Sequence, residues 1–315
     1  MRLFRAVIVS ILAVLSHTLG NPRSNFSYRR IAPILSLKSG DRRSFLPQLG
    51  FASINALVSH PRPAGAMWQQ WTPEDMLFYV DKAQKGNVTS VLASMDEAAE
   101  TSWMMNMGPK KGHIVSEIIY ELKPKRVLEI GTFLGYMSIY MSEALPDGSL
   151  LVTIEKDEVN HAAAVSIMTK AFGNLSSARV PIDSWLGASS AVLESRAFRS
   201  KYGGEAPFDL VLMDHWKPEY ARDLKLLERL GLVAQGSVVL ADNVIFPGAP
   251  ELLAYLGVPH AATEDEVSGQ ECLRTTPEAL RGAEYNANGW RTKLLPVPFE
   301  YRPLTPDAIS YSVRF

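Results

Sequence analysis

From residue 126 to residue 256 the chain repeats one unit, a short apolar run followed by a stretch with helical spacing. The runs are 126–130, 150–154, 208–214 and 237–242; the helical stretches are 136–145, Glu158–Phe172, 188–201, 219–230 and 250–256. Runs of five to seven apolar residues bounded by turn signals read as buried strands. Strands separated by helices of roughly 10–15 residues imply an α/β fold, a parallel sheet with helices on both faces. Residues 178–183 supply a further strand, with Pro181 assigning it to an edge. Upstream, residues 73–103 read as two helices, the first opened by Thr72 and Pro73. Downstream, residues 257–290 are polar, with Glu264-Asp-Glu266, and read as a surface insertion before two last strands at 291–297 and 309–315.

Charge divides the chain differently. The whole carries 32 Lys+Arg and 33 Asp+Glu, yet residues 1–62 hold nine of the basic residues and only one acid, Asp41. The remainder is therefore acidic, 23 basic against 32 acidic, which argues against a nonspecific grip on nucleic acid. Arg2 and Arg5 precede an apolar run, residues 6–15, and then small residues near Gly20. That is the pattern of a secretory signal, with an uncleaved anchor as the other reading; the run is short for a stable membrane span. The expected organisation is thus a signal at 1–20, a basic leader or linker at 21–70, and one catalytic domain at 71–315. The expected location is the secretory pathway, or an organelle reached through it. The single cysteine, Cys272, excludes intrachain disulfides and a cysteine-clustered metal site.

In an open parallel sheet, ligands bind beyond the carboxyl ends of the strands. Glu129-Ile-Gly-Thr-Phe-Leu-Gly135 closes the first strand, Glu155 the second, Asp214-His-Trp-Lys217 the fourth and Asp242-Asn243 the fifth. Gly131 and Gly135 permit a tight turn and close backbone approach to a ligand. Glu155, placed to accept from ribose hydroxyls, joins them in favouring an adenosine-containing cofactor; without an intervening glycine, a nucleoside lacking a pyrophosphate fits better. The other reading of Glu155 is an exposed strand-end carboxylate. Asp214, Asp242 and Asn243 offer only oxygen donors, a set suited to Mg²⁺; the bland reading is that the two aspartates cap turns. Lys217 beside a divalent cation would have a lowered pKa and serve as general base, or else be a solvated surface lysine.

Four separated motifs, in order, resemble the catechol O-methyltransferases, a cation-dependent family that uses S-adenosylmethionine. They are Trp103-Met-Met-Asn-Met-Gly108, Val127-Leu-Glu-Ile-Gly-Thr-Phe-Leu-Gly-Tyr136, Asp214-His-Trp-Lys217 and Ala241-Asp-Asn-Val-Ile-Phe-Pro-Gly248. The resemblance runs from about 76 to 256 and resumes near Glu300. It implies a Rossmann-like, seven-stranded methyltransferase sheet with an antiparallel last strand, S-adenosylmethionine and Mg²⁺ as cofactors, and a small catechol as substrate. Asp214, Asp242 and Asn243 would hold the metal, Lys217 would deprotonate the reacting hydroxyl, and Glu300 would bind the other. Trp103, Met105, Trp216 and Pro247 would line the substrate ring. Met107, Glu129, Gly131, Phe133, Gly135, Glu155, Ser189, Asp214, His215 and Trp216 would surround the methyl donor. Lys156 stands where the family has an apolar residue beside adenine, Ser138 is displaced by one from the family's serine, and two extra residues near Ser184-Trp185 would lengthen a loop. A larger vicinal-diol acceptor, or a non-catalytic role on the same fold, are the competing expectations.

Overall fold

A computed structural model describes residues 72–101, 104–259 and 285–315. Helix α1 (Pro73–Asp81) begins where Thr72 and Asp75 exchange side-chain and backbone hydrogen bonds in a capping box. Helix α2 (Val88–Thr101) follows, and α3 (Gly108–Leu122) comes next. Helix α3 was not among the expected elements, although Pro109 in its first turn and Ile114, Val115, Ile118 and Ile119 at helical spacing signal it. The alternation of strand and helix then follows: β1 (Arg126–Ile130), α4 (Tyr136–Ala144), β2 (Leu150–Glu155), α5 (Glu158–Phe172), β3 (Ile182–Leu186), α6 (Ser189–Glu194), α7 (Arg196–Tyr202), β4 (Leu210–Met213), α8 (Tyr220–Arg229), β5 (Val238–Ala241) and α9 (Pro250–Tyr255). The chain closes with β6 (Tyr285–Ala287), β7 (Trp290–Pro296) and β8 (Ala308–Arg314).

The strands form one sheet in the order β3-β2-β1-β4-β5-β8-β7-β6, parallel from β3 to β5 and antiparallel beyond. Strand periodicity sends alternate side chains to opposite faces. Val127, Leu151, Leu210, Leu212, Val238 and Leu240 join a core with α1 to α5. Leu128, Val152, Val211, Met213, Val239 and Ala241 join a second core with α6 to α9. Both faces are thus covered, which is why the parallel strands read as continuous apolar runs.

Four expectations need correction. The sheet has eight strands, not seven: the stretch read as an insertion ends in β6, joined to β7 through Asn288-Gly289 with φ of 52° and 78°. Asn-Gly is the sequence signature of this two-residue hairpin turn. Trp290, just past it, is fully buried, and its Nε1 donates to Glu228 Oε1 at 2.6 Å. Second, β3 starts after Pro181, which has no N–H to contribute, so it lies downstream of 178–183 while keeping its edge position. Third, Ser184 and Trp185 belong to β3 rather than to a lengthened loop. Fourth, the stretch 188–201 is two helices, broken at Ser195, whose extended backbone lets its hydroxyl accept from Phe198 N and cap α7.

Candidate active site

The carboxyl ends of β1, β4 and β5 are stitched together by backbone. Asp214 N donates to Ile130 O at 2.8 Å, and Asp242 N donates to Met213 O at 3.0 Å. Gly131 has φ 102°, and a Cβ there would lie 2.4 Å from the carbonyl oxygen of Asp214. At Gly135, φ 84°, a Cβ would meet the Met168 side chain of α5 at 3.0 Å. These glycines serve contacts between neighbouring protein elements, so close approach to a ligand is not the whole reason for them. Between them Phe133, at φ 48°, donates its N–H to Glu155 Oε2 at 2.8 Å, while Asp157 N donates to Oε1 at 2.9 Å. Glu155 therefore braces the turn after β1 from the end of β2. Lys156 beside it is exposed.

Glu129 is fully buried within β1. Its Oε2 accepts from Ser138 and, at 2.8 Å, from Thr153 Oγ1, so the displaced Ser138 grips this carboxylate from inside. Oε1 is buried without a hydrogen-bond partner among the described residues. Burial pushes the Glu129 carboxyl up to about 7, against the two hydroxyls, and the charges of Asp214 and Glu155 add to the rise. On the other side, Asp223 accepts from Ser189 at the start of α6, and its Oδ2 lies 2.9 Å from His215 Nε2. These bonds outweigh the burial of Asp223 and hold its carboxyl below the usual range. His215 Nδ1 is also buried without a partner among the described residues. Met107 is buried just before α3, whereas Met105, Trp216 and Pro247 are exposed, Trp216 by 65%. Trp103 lies outside the described residues.

The acidic centre is the densest part of the site. Lys217 Nζ donates to Asp214 Oδ1 at 2.8 Å. Burial pushes the Lys217 ammonium down, but Asp214, Tyr220 and Asp242 outweigh it and hold it well above the usual lysine range. That is opposite to the lowering expected of a general base. Asp242 is fully buried and follows β5 directly; Asn243, next to it, adopts a left-handed backbone with φ 56°. Asn243 Nδ2 donates to Glu300 Oε1 at 2.9 Å and to Asp307 Oδ2 at 2.8 Å. With its nitrogen so engaged, the amide turns Oδ1 the other way.

The cation at the bottom of this cluster is one that sequence reading missed. Asp242, Glu300 and Asp307 bring carboxylate oxygens within 4.8 Å of one another, and the ammonium of Lys111 from α3 sits among them. Its Nζ lies 2.7 Å from Asp242 Oδ1, 2.6 Å from Glu300 Oε1 and 2.7 Å from Asp307 Oδ2. Lys111 is 1% exposed; burial alone would lower its pKa, and the three carboxylates reverse that direction. A signal existed, because Lys111 precedes Ile114 and Val115 by three and four residues and so falls on the apolar face of α3. Asp307, just ahead of β8, offered none. A second network holds the same loop: Tyr136 and Tyr301 donate to Asp96 Oδ1 at 2.7 and 2.9 Å, tying the neighbour of Glu300 to α2 and α4.

Residues 86–251 match the family model described as O-methyltransferase. The chain belongs to the O-methyltransferase family. This O-methyltransferase chain is 38% identical over 175 residues to a catechol O-methyltransferase of Bos taurus, a match covering 55% of the chain and 61% of the bovine protein. It thus spans less than two thirds of that relative. An O-methyltransferase from Bacillus cereus, solved in complex with SAH, shares the fold at 19% identity with a TM-score of 0.50, over 78% of this chain and 98% of that one.

The comparisons also correct the expected location. The transmembrane O-methyltransferase of Homo sapiens is 34% identical over 179 residues, 56% of this chain and 59% of that protein, and its name denotes a membrane protein rather than a secreted one. A cleaved signal and an uncleaved anchor share a basic start and an apolar run, so residues 1–20, outside the described residues, do not decide for secretion. Among the described residues no helix is long and apolar enough to cross a membrane.

Proposed function

We propose that this chain transfers a methyl group from S-adenosylmethionine to one hydroxyl of a catechol with the help of Mg²⁺, and that residues 71–315 form the catalytic domain. The observation that carries the reading is a group of polar atoms at the carboxyl edge of the sheet, Glu129 Oε1, His215 Nδ1 and both carboxylate oxygens of Asp242, which are among the buried atoms without a hydrogen-bond partner in the described residues. Buried atoms of this kind call for a ligand with complementary groups. The 38% identity to a catechol O-methyltransferase supports the choice of acceptor.

On the cofactor side, Glu129 Oε1 is suited to accept from the ammonium of a methionine moiety. Glu155, held by two backbone N–H groups, retains lone pairs for ribose hydroxyls. Ser189 and His215, linked through Asp223, would flank the base together with Trp216. S-adenosylmethionine would supply a methyl carbon made electrophilic by its sulfonium.

The donor set at the acidic centre fits a hard cation. Asp214 and Asp242 bring carboxylates from adjacent strand ends, and Asn243 turns its amide oxygen away from the deep cluster. Mg²⁺ would supply Lewis acidity, lowering the pKa of a phenol held beside it. Lys217 Nζ would take the proton from the reacting hydroxyl; its role as a base depends on added positive charge near Asp214, which opposes the elevation described above. Glu300 would accept from the second hydroxyl through Oε2, since Oε1 already accepts from Lys111 and Asn243. The exposed faces of Trp216, Met105 and Pro247 are apolar surface that an aromatic ring would cover. A bulkier vicinal-diol phenolic is favoured by one further feature: Phe246, 44% exposed and edge-on to Phe299 at 5.1 Å, extends apolar surface beyond Pro247.

The test is methyl transfer from labelled S-adenosylmethionine to catechol, to phenol and to a bulky catechol, with Mg²⁺ or with EDTA. We expect product only from the vicinal diols and only with Mg²⁺. Equal turnover of phenol, or activity that survives EDTA, rejects the mechanism. Asp242→Ala should lower turnover at least about 100-fold while S-adenosylmethionine still binds in calorimetry.

A further inference from the structure

Lys111 presents an unusual combination. It is buried to 1% exposure, it comes from a helix that contributes no other charged group to the centre, and its ammonium contacts three carboxylates from two distant segments. Its Nζ donates to Glu300 and Asp307 and lies in ion-pair contact with Asp242, and as an ammonium it has no lone pair with which to accept a proton. Stability is a weak reason for such an arrangement, because well-packed apolar residues commonly replace buried ion clusters without loss. The geometry indicates a different service. Glu300 Oε1 and Asp307 Oδ2 each accept from both Lys111 and Asn243, whereas Asp242 has only the 2.7 Å ion-pair contact of its Oδ1 with Lys111, and neither of its oxygens accepts a hydrogen bond among the described residues.

We infer that Lys111 is a positioning residue, a tethered cation that fills the deep Asp242–Glu300–Asp307 cluster and so confines a divalent ion to the outer oxygens of Asp214, Asp242 and Asn243. The inference rests on the metal reading proposed above. Three carboxylates within 4.8 Å of one another would otherwise be the stronger attractor for a divalent ion, because they exceed the outer set in charge. An ion drawn there would leave Lys217 and the substrate edge behind. Asp242 belongs to both sets, and the ammonium on one of its oxygens leaves only the other for the outer face. Formally, four carboxylates (Asp214, Asp242, Glu300, Asp307) stand against two ammonium groups (Lys111, Lys217), and the difference equals the charge of one divalent ion.

Lys111→Met removes the charge at nearly constant length. Three measurements on the full chain decide the matter: S-adenosylmethionine affinity by calorimetry, Mn²⁺ affinity by electron paramagnetic resonance of the free ion, and catechol methylation with Mn²⁺ at saturation. The expected result is unchanged S-adenosylmethionine affinity and Mn²⁺ binding at least as tight as in the wild type. Turnover falls roughly 10- to 100-fold, with kcat rather than KM carrying the loss. Binding and turnover would thus separate. If both are lost together, Lys111 is merely structural; if turnover is retained, it does not place the ion. Either outcome overturns the inference. If the wild-type chain itself binds no Mn²⁺, the metal reading fails first, and that result is separately visible. Should Lys111→Met not fold, Lys111→Met/Asp307→Asn removes one charge of each sign from the cluster and carries the same test: Mn²⁺ binding must persist while turnover falls.

Discussion

Glu129 shows how a single side chain can couple proton uptake to ligand binding. Buried in β1 and raised to about 7, it keeps its proton in the folded chain at pH values where the unfolded chain, with an ordinary value of 4.5, has lost it. The folded state then binds more protons, so stability falls as pH rises from about 4.5 to about 7 and levels off above. A cationic amino group held at Oε1 would favour the ionised form and reverse the preference. We therefore expect S-adenosylmethionine affinity to rise as pH passes through about 7, and calorimetry across that range reads it directly. Glu129→Gln should bind roughly 10- to 100-fold more weakly, the loss of one charge-assisted hydrogen bond, and should show a flat profile. A pH dependence that persists in the Gln variant would show that Glu129 is not its source. That Glu129 stands at the carboxyl edge of the sheet was legible from its place near the end of an apolar run. That one oxygen is held by Ser138 and Thr153 and the other is unpaired was not, because both hydroxyls come from other elements.

At the scale of elements, the turn after β1 is fixed by its neighbours. Gly131→Ala would set a methyl group 2.4 Å from the backbone of Asp214 and force a left-handed φ on a residue that resists it. We expect a loss of about 1–3 kcal/mol in urea unfolding, together with reduced turnover, because Asp214 must move. Gly135→Ala meets the flexible Met168 side chain instead, so its cost should be smaller and its effect on turnover slight. Equal effects of the two substitutions would mean that strain alone, not the contact with Asp214, matters. Strands β1, β2, β4 and β5 and helices α4, α5, α8 and α9 were legible because apolar spacing is a local property. Helix α3 was overlooked although its periodicity is as clear, and with it went Lys111. The third strand lies downstream of 178–183, because Pro181 has no N–H and pairing with β2 runs from Ile182 to Leu186.

The whole sheet separates stability from chemistry. Trp290 sits opposite Arg314, at the far end of β8 from Ala308, and about six residues of strand, roughly 20 Å, lie between. Trp290→Ala should destabilise the chain by about 3–5 kcal/mol in urea unfolding yet leave S-adenosylmethionine affinity unchanged in the folded protein. A matching loss of affinity would show that β6 and β7 brace the site. The amino-acid sequence by itself determined the α/β alternation, the parallel part of the sheet and the row of acids at its carboxyl edge, since each depends on neighbours a few residues apart. Only the tertiary structure decided which cation faces which acid. Lys111 meets Glu300 and Asp307 across 189 and 196 residues, and Asn243 meets them across 57 and 64. No local periodicity encodes such pairings. They arise because β8 turns back beside β5 while α3 packs on the same sheet, bringing two distant segments around the one buried ammonium that α3 carries.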